Sequence, residues 1–169
     1  MPLVSDDSEE YKEHVEFFRW FRGGYLSAFS QAEFTLGRLV SRFNLKPFVA
    51  EKYNNIQAGF SARLSSFSSL FSDHDMLAEY REWATLSASE LEARYARRNF
   101  LAHGFARFEA STEQWDIRRI KYIKGNPWNE ETMTLTPSDF IPISSRMSIN
   151  TQRIVEVAMQ LNIKFDLEF

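Results

Sequence analysis

The chain has 169 residues and carries a formal net charge of −3, with 44% hydrophobic and 25% charged residues. That balance excludes wholesale disorder and a membrane bundle, and the length suits one domain with a core of its own. There is no cysteine, so disulfides, thiol catalysis and Cys-ligated zinc are excluded, and three histidines leave little for a histidine-rich metal site. Sixteen phenylalanines predict a core of large rings.

In chain order the first signal is a long amphipathic helix. Phe18, Phe21, Tyr25, Phe29, Ala32, Leu36, Leu39 and Phe43 recur every three or four residues. Ser5, Asp6 and Asp7 are its candidate caps, Gly23 and Gly24 could bend it, and Lys46-Pro47 ends it. A second helix is expected from about Asn55 to Phe71 on the stripe Ile56, Phe60, Leu64, Phe67 and Phe71. A turn at 72–75 leads into a third helix that runs to about His103, where Gly104 stops it. Its stripe is Leu77, Tyr80, Ala84, Ala88, Leu91 and Tyr95, and then an arginine, Arg98, stands where the period calls for an apolar residue.

The pattern then changes. Phe105 to Ala110, Trp115 to Ile123 and Glu131 to Thr136 read as short strands of an antiparallel meander, with a turn at 124–127. Thr136-Pro137-Ser138-Asp139 resembles a helix start, but Pro142 interrupts it, and the last helix is expected from about Ser145 to Leu161. The predicted fold is therefore mainly α: an up-and-down bundle of four to five helices in a single domain over 1–169. A small β insertion at about 105–136 precedes the last helix. The start of the chain is too short and acidic for a signal peptide and no run is long enough to span a membrane, so a soluble, cytoplasmic protein is expected.

Charge is unevenly placed. From Arg94 to Lys124 there are eight basic and three acidic residues, a local +5 against −8 elsewhere. Arg94, Arg97, Arg107, Arg118, Arg119 and Lys121 could form a phosphate track, or simply a solvated face. Trp115 and Trp128 could stack bases, or cover the small sheet.

Chemistry concentrates where the third helix ends. Asn99 and His103 are four apart and share a face, with Arg98 next to Asn99. A guanidinium suits phosphate, and an imidazole can both take and give a proton near neutrality. A fixed cation with an acid–base group and no metal ligands fits attack of a ribose 2′-hydroxyl on the adjacent phosphodiester. A simpler reading keeps the residues structural: His103 bonds the last carbonyls of its helix, and Arg98 pairs with an acid on the first helix. The His-Asp pair at 73–75 lacks enough further ligands for a metal and reads more simply as a cap.

The run Arg98-Asn99-Phe100-Leu101-Ala102-His103-Gly104 resembles the signature of the HEPN superfamily (higher eukaryotes and prokaryotes nucleotide-binding), Arg followed by four to six residues and His, often with a polar residue after the Arg. The resemblance covers about seven residues in motif and most of the chain in architecture. It implies an α-helical domain that dimerises, so that Arg and His of two protomers converge on one cleft. It also implies metal-independent endoribonuclease activity of the toxin–antitoxin or phage-defence kind, with no cofactor. Arg98 would then hold the phosphate, His103 would transfer protons and Asn99 would orient the imidazole or substrate. Arg97 is an alternative to Arg98 at the permitted spacing. The implied partners are RNA, a second copy of the chain, and an antitoxin or other regulatory protein. Members modified by a nucleotidyltransferase resemble Arg-x4-His-x-Tyr, and Phe105 stands here at the Tyr position, without a hydroxyl to modify. A non-catalytic nucleotide- or RNA-binding module of the same superfamily is the alternative.

Overall fold

The structure is a computed structural model and describes residues 8–49, 59–124 and 126–168. Four α-helices are present among the described residues: α1 (Glu9–Phe43), α2 (Phe60–Asp73), α3 (Arg81–His103) and α4 (Pro137–Phe165). A 3₁₀ turn, Asp75–Tyr80, leads into α3, and strands β1 (Phe105–Glu109), β2 (Gln114–Ile123) and β3 (Asn126–Leu135) separate α3 from α4. The fold is mainly α with a small three-stranded antiparallel sheet before the last helix.

Every apolar position of the α1 stripe from Phe18 to Phe43 is buried, so its period was the true one. The helix is capped by Ser8, whose hydroxyl accepts from the Tyr11 N–H at 3.1 Å, as an N-cap serine does for an orphan donor of the first turn. The expected caps Ser5, Asp6 and Asp7 lie outside the described residues, as do Asn55 and Ile56 of the second helix and Gly125 of the hairpin turn. Gly23 and Gly24 do not interrupt α1.

The last helix departs from expectation. It starts at Pro137 rather than near Ser145, and Pro142 lies inside it. A reciprocal cap explains the early start. The Thr136 N–H donates to Asp139 Oδ2 at 2.8 Å, the Thr136 hydroxyl donates to the same oxygen at 2.7 Å, and the Asp139 N–H returns to the Thr136 carbonyl at 3.0 Å. Pro137 occupies the first helical position, where its missing N–H costs nothing. Pro142 deprives only the Ser138 carbonyl of a partner, and Ser138 is exposed to water.

The chain forms two compact units, and α1, α3 and α4 each contribute to both. The first unit comprises α1 up to Ser27, α3 from Tyr95, the sheet and α4 up to Ser148. Its core is aromatic. Phe18 stacks on Trp115 with centroids 4.1 Å apart, Phe21 stacks on Phe140 at 4.4 Å, and Phe108 tilts against Trp115 at 5.3 Å. Leu101, Ile117, Leu135 and Met147 are buried in the same unit. Such ring pairs add about 0.5–1.5 kcal/mol each beyond the area they bury. Trp115 is thus a core residue and is not available to stack a base.

The second unit comprises the remainder of α1, α2, the 3₁₀ turn, α3 up to Arg94 and α4 from Ile149. Phe43 meets Phe71 and Phe165 edge-on, and Phe67 and Phe71 both meet Trp83. The buried Thr151 hydroxyl is satisfied by the Ala28 carbonyl at 2.9 Å.

The sheet is a meander in the order β1-β2-β3. Phe105 pairs with Arg118 and Phe108 with Trp115; across the second ladder Arg118 pairs with Thr132, Arg119 with Glu131 and Ile120 with Glu130. Because side chains alternate across a strand, Trp115, Ile117 and Arg119 share the inner face, and Asp116, Arg118 and Ile120 the outer one.

Candidate functional site at the end of the third helix

All of the motif lies in the first unit, on the last turns of α3 and the residue that follows. Arg98 and Asn99 are half-buried and joined, Arg98 Nη1 donating to Asn99 Oδ1 at 3.1 Å. His103 is the last helical residue and is exposed. The helix puts it one turn beyond Asn99 on the same face, with no hydrogen bond from its ring to Arg98 or Asn99 among the described residues.

The structural reading of these residues predicts that His103 caps its own helix. Other groups do that work. Arg22 of α1 donates through Nη2 to the Ala102 carbonyl at 3.3 Å, and the Gly104 N–H returns to the Phe100 carbonyl at 2.8 Å. Two carbonyls of the last turn are thus met by other groups while the imidazole stays in solvent. Arg98, for its part, pairs with Asn99 and with no acid of α1 among the described residues.

Gly104 ends α3 for a reason other than a left-handed backbone. A Cβ at this position would lie 2.5 Å from both Ile117 Cγ2 and the Phe100 carbonyl oxygen, and 3.2 Å from the Arg118 carbonyl oxygen. The glycine permits β2 to pass directly beneath the end of α3. A second brace comes from Arg119, whose guanidinium lies 4.2 Å from the centroid of the Phe100 ring. Arg119 also donates through Nε and Nη2 to Glu131 Oε2 at 2.9 and 2.6 Å, and Lys121 reaches Glu131 Oε1 at 3.2 Å. The hydrogen bond from Arg119 holds the Glu131 carboxyl below the ordinary glutamate range. Arg22, Phe100 and Glu131 are the residues that sequence reasoning missed. The Arg119–Glu131 pairing follows from hairpin register, whereas nothing in the sequence links Arg22 to Ala102.

The expected phosphate track is only partly available. Arg118 lies 3.6 Å from Glu130 and 4.0 Å from Asp116, and Arg119 and Lys121 share Glu131. Glu130 and Glu131 fall just beyond the basic window, and β3 returns them beside it. Arg94 belongs to the second unit and bonds Glu90 of its own helix. Arg97 is half-buried with Nε enclosed and unpartnered among the described residues, and its charge adds to the Thr136 bonds that lower the Asp139 carboxyl. Arg107 is exposed and has no ion pair among the described residues.

Elsewhere, His14 stacks on Phe108 at 4.5 Å. His74 precedes the 3₁₀ turn and makes no side-chain cap bond to it, contrary to the capping expectation. Among the described residues no group of three or more His, Asp or Glu is placed to hold a metal ion, and no helix is long and apolar enough to cross a membrane. No protein-family model, curated protein or solved structure matches the chain.

Proposed function

We propose that the chain is a metal-independent endoribonuclease that cleaves RNA by 2′-hydroxyl attack, with Arg98, Asn99 and His103 at its centre. The observation that carries this reading is the state of His103. It is held at the braced, solvent-facing end of α3 while Arg22 takes the carbonyl bond that a structural histidine would make. An acid–base group that is positioned and left without structural duty suits proton transfer. In the reaction an imidazole removes the 2′-hydroxyl proton, O2′ forms a bond to phosphorus, and the bond to the 5′-oxygen breaks as that oxygen takes a proton. The products are a 2′,3′-cyclic phosphate and a 5′-hydroxyl. Arg98 would stabilise the charge that builds on the phosphoryl oxygens. One protomer supplies one such imidazole, so a homodimer would provide base and acid together, as the HEPN resemblance implies. An antitoxin or other regulatory protein belongs to the same reading.

A second reading, a non-catalytic RNA- or nucleotide-binding module, draws on the Arg98–Asn99 bond, which engages the arginine with the amide rather than with the imidazole. One experiment separates them. Purified wild type, His103→Ala and Arg98→Ala are incubated with total RNA in EDTA. Cleavage by wild type alone, leaving 2′,3′-cyclic phosphate ends, supports the nuclease. Folded proteins that bind RNA and leave it intact support the module.

A further inference from the structure

The outer face of the sheet begins immediately after the motif and is unusually rich in exposed rings. Phe105 is 74% exposed, Tyr122 76% and Trp128 77%, with Ile120 at 62%. Register and alternation put them together. Phe105 pairs with Arg118, Ile120 follows Arg118 on the same face, and Trp128 lies two residues before Glu130, the partner of Ile120; the exposed Tyr122 sits beside them at the register shift between Lys121 and Ile123. From the Phe105–Arg118 row to Tyr122 is four residues of β2, about 14 Å. Large exposed rings in one neighbourhood cost solvation and mark a binding surface.

The chemistry between the rings says what would cover them. The face is not a continuous apolar patch. Arg118 and Thr132 lie beside Phe105 in register, and Arg107 lies two residues along β1. Arg107 and Lys124 have no ion pair among the described residues, and the exposed Arg118 contacts at 3.6 and 4.0 Å are weak enough to yield to a phosphate. Asp116, opposite Arg107, and Glu130, beside Arg118, share this face, so the rings carry the recognition and a phosphate meets the two arginines in competition with those carboxylates. Flat exposed rings beside such cations complement a single nucleic-acid strand, whose bases stack on them. A duplex hides its base faces and could not use the rings.

We propose that the outer sheet face, through Phe105, Tyr122 and Trp128 with Arg107 and Arg118, is a stacking platform for single-stranded RNA. The choice of RNA rests on the nuclease reading; the stacking surface does not.

The test uses the full chain and a short 2′-O-methylated oligouridine, which lacks the nucleophile and so reports binding without cleavage. Binding is followed by tryptophan quenching and fluorescence anisotropy. Tyr122→Ala and Trp128→Ala are each expected to weaken binding about tenfold, with circular dichroism unchanged because both side chains are exposed. The conservative Tyr122→Phe should retain the affinity. Wild-type affinity in both alanine variants overturns the platform, as does equal affinity for duplex RNA. A shift of the alanine variants from dimer to monomer with RNA affinity unchanged also overturns it, and assigns the face to a second copy. Wild type that binds through these rings yet leaves unmodified RNA uncut sustains the platform and removes the nuclease. Cleavage with full-affinity ring variants does the reverse.

Discussion

The Arg119 guanidinium lies 4.2 Å from the centre of the Phe100 ring, so the second strand of the sheet grips the motif segment between Arg98 and His103. The same guanidinium is fixed on its other side by Glu131. Arg119→Ala removes both contacts and is expected to cost about 1–2 kcal/mol. It should also loosen the last turn of α3, and hydrogen exchange of the Leu101 to Gly104 amides would report this against a thermal melt.

Acid should weaken the same brace. The Arg119 hydrogen bond lowers the Glu131 carboxyl in the folded chain, so on acidification the unfolded chain takes up the proton first. The contribution is complete above the unfolded-chain value and disappears as pH falls through the lower folded one. Asp139 follows the same sign, lowered chiefly by the Thr136 N–H and hydroxyl. Glu131→Gln and Asp139→Asn should each lower stability at neutral pH, with the deficit closing in acid. A constant deficit across a pH series of urea melts would contradict this. Thr136→Ala, which removes the hydroxyl that donates to Asp139, should cost about 1 kcal/mol.

Gly104→Ala tests the packing of α3 over β2. A methyl group would meet Ile117 Cγ2 and the Phe100 carbonyl oxygen, both at 2.5 Å, and the carbonyl belongs to a helix turn that cannot swing aside. A loss of about 1–3 kcal/mol is expected. A variant as stable as wild type would show that the close approach is relaxed in solution.

Pro142→Ala should act in the opposite direction. The alanine restores a donor for the Ser138 carbonyl within α4 at an exposed position. The gain should approach the helix penalty of proline, at most ~3 kcal/mol, read as a raised Tm.

Arg22→Ala separates positioning from chemistry. Arg22 touches the helix end through the Ala102 carbonyl and is not proposed to touch RNA. Its loss should lower cleavage by disordering His103, with affinity for the 2′-O-methylated strand retained. His103→Ala should abolish cleavage and leave the Tm almost unchanged, since an exposed side chain outside the core contributes within about 0.5 kcal/mol. A large loss of stability in His103→Ala would return the residue to a structural role.

The sequence by itself determined the helices whose apolar period was long and regular, and the α1 stripe from Phe18 to Phe43 is buried throughout. It also determined the three-stranded meander, because β-alternation and turn residues are local signals, although β3 begins at Asn126, within the expected turn, rather than at Glu131; and it placed Arg98, Asn99 and His103 at a helix end by spacing alone. It misjudged the start of α4, where a reciprocal cap between Thr136 and Asp139 outweighs a proline whose freed carbonyl faces water. Tertiary structure alone decided three matters. Arg22, rather than His103, occupies the Ala102 carbonyl; β3 brings Glu130 and Glu131 beside the arginines and lysine of β2; and Trp115 is packed on Phe18 while Trp128 stays in solvent. Each depends on residues far apart in sequence becoming neighbours. Periodicity assigns a residue to a face of its own element, whereas the partner on that face is set only when the elements pack.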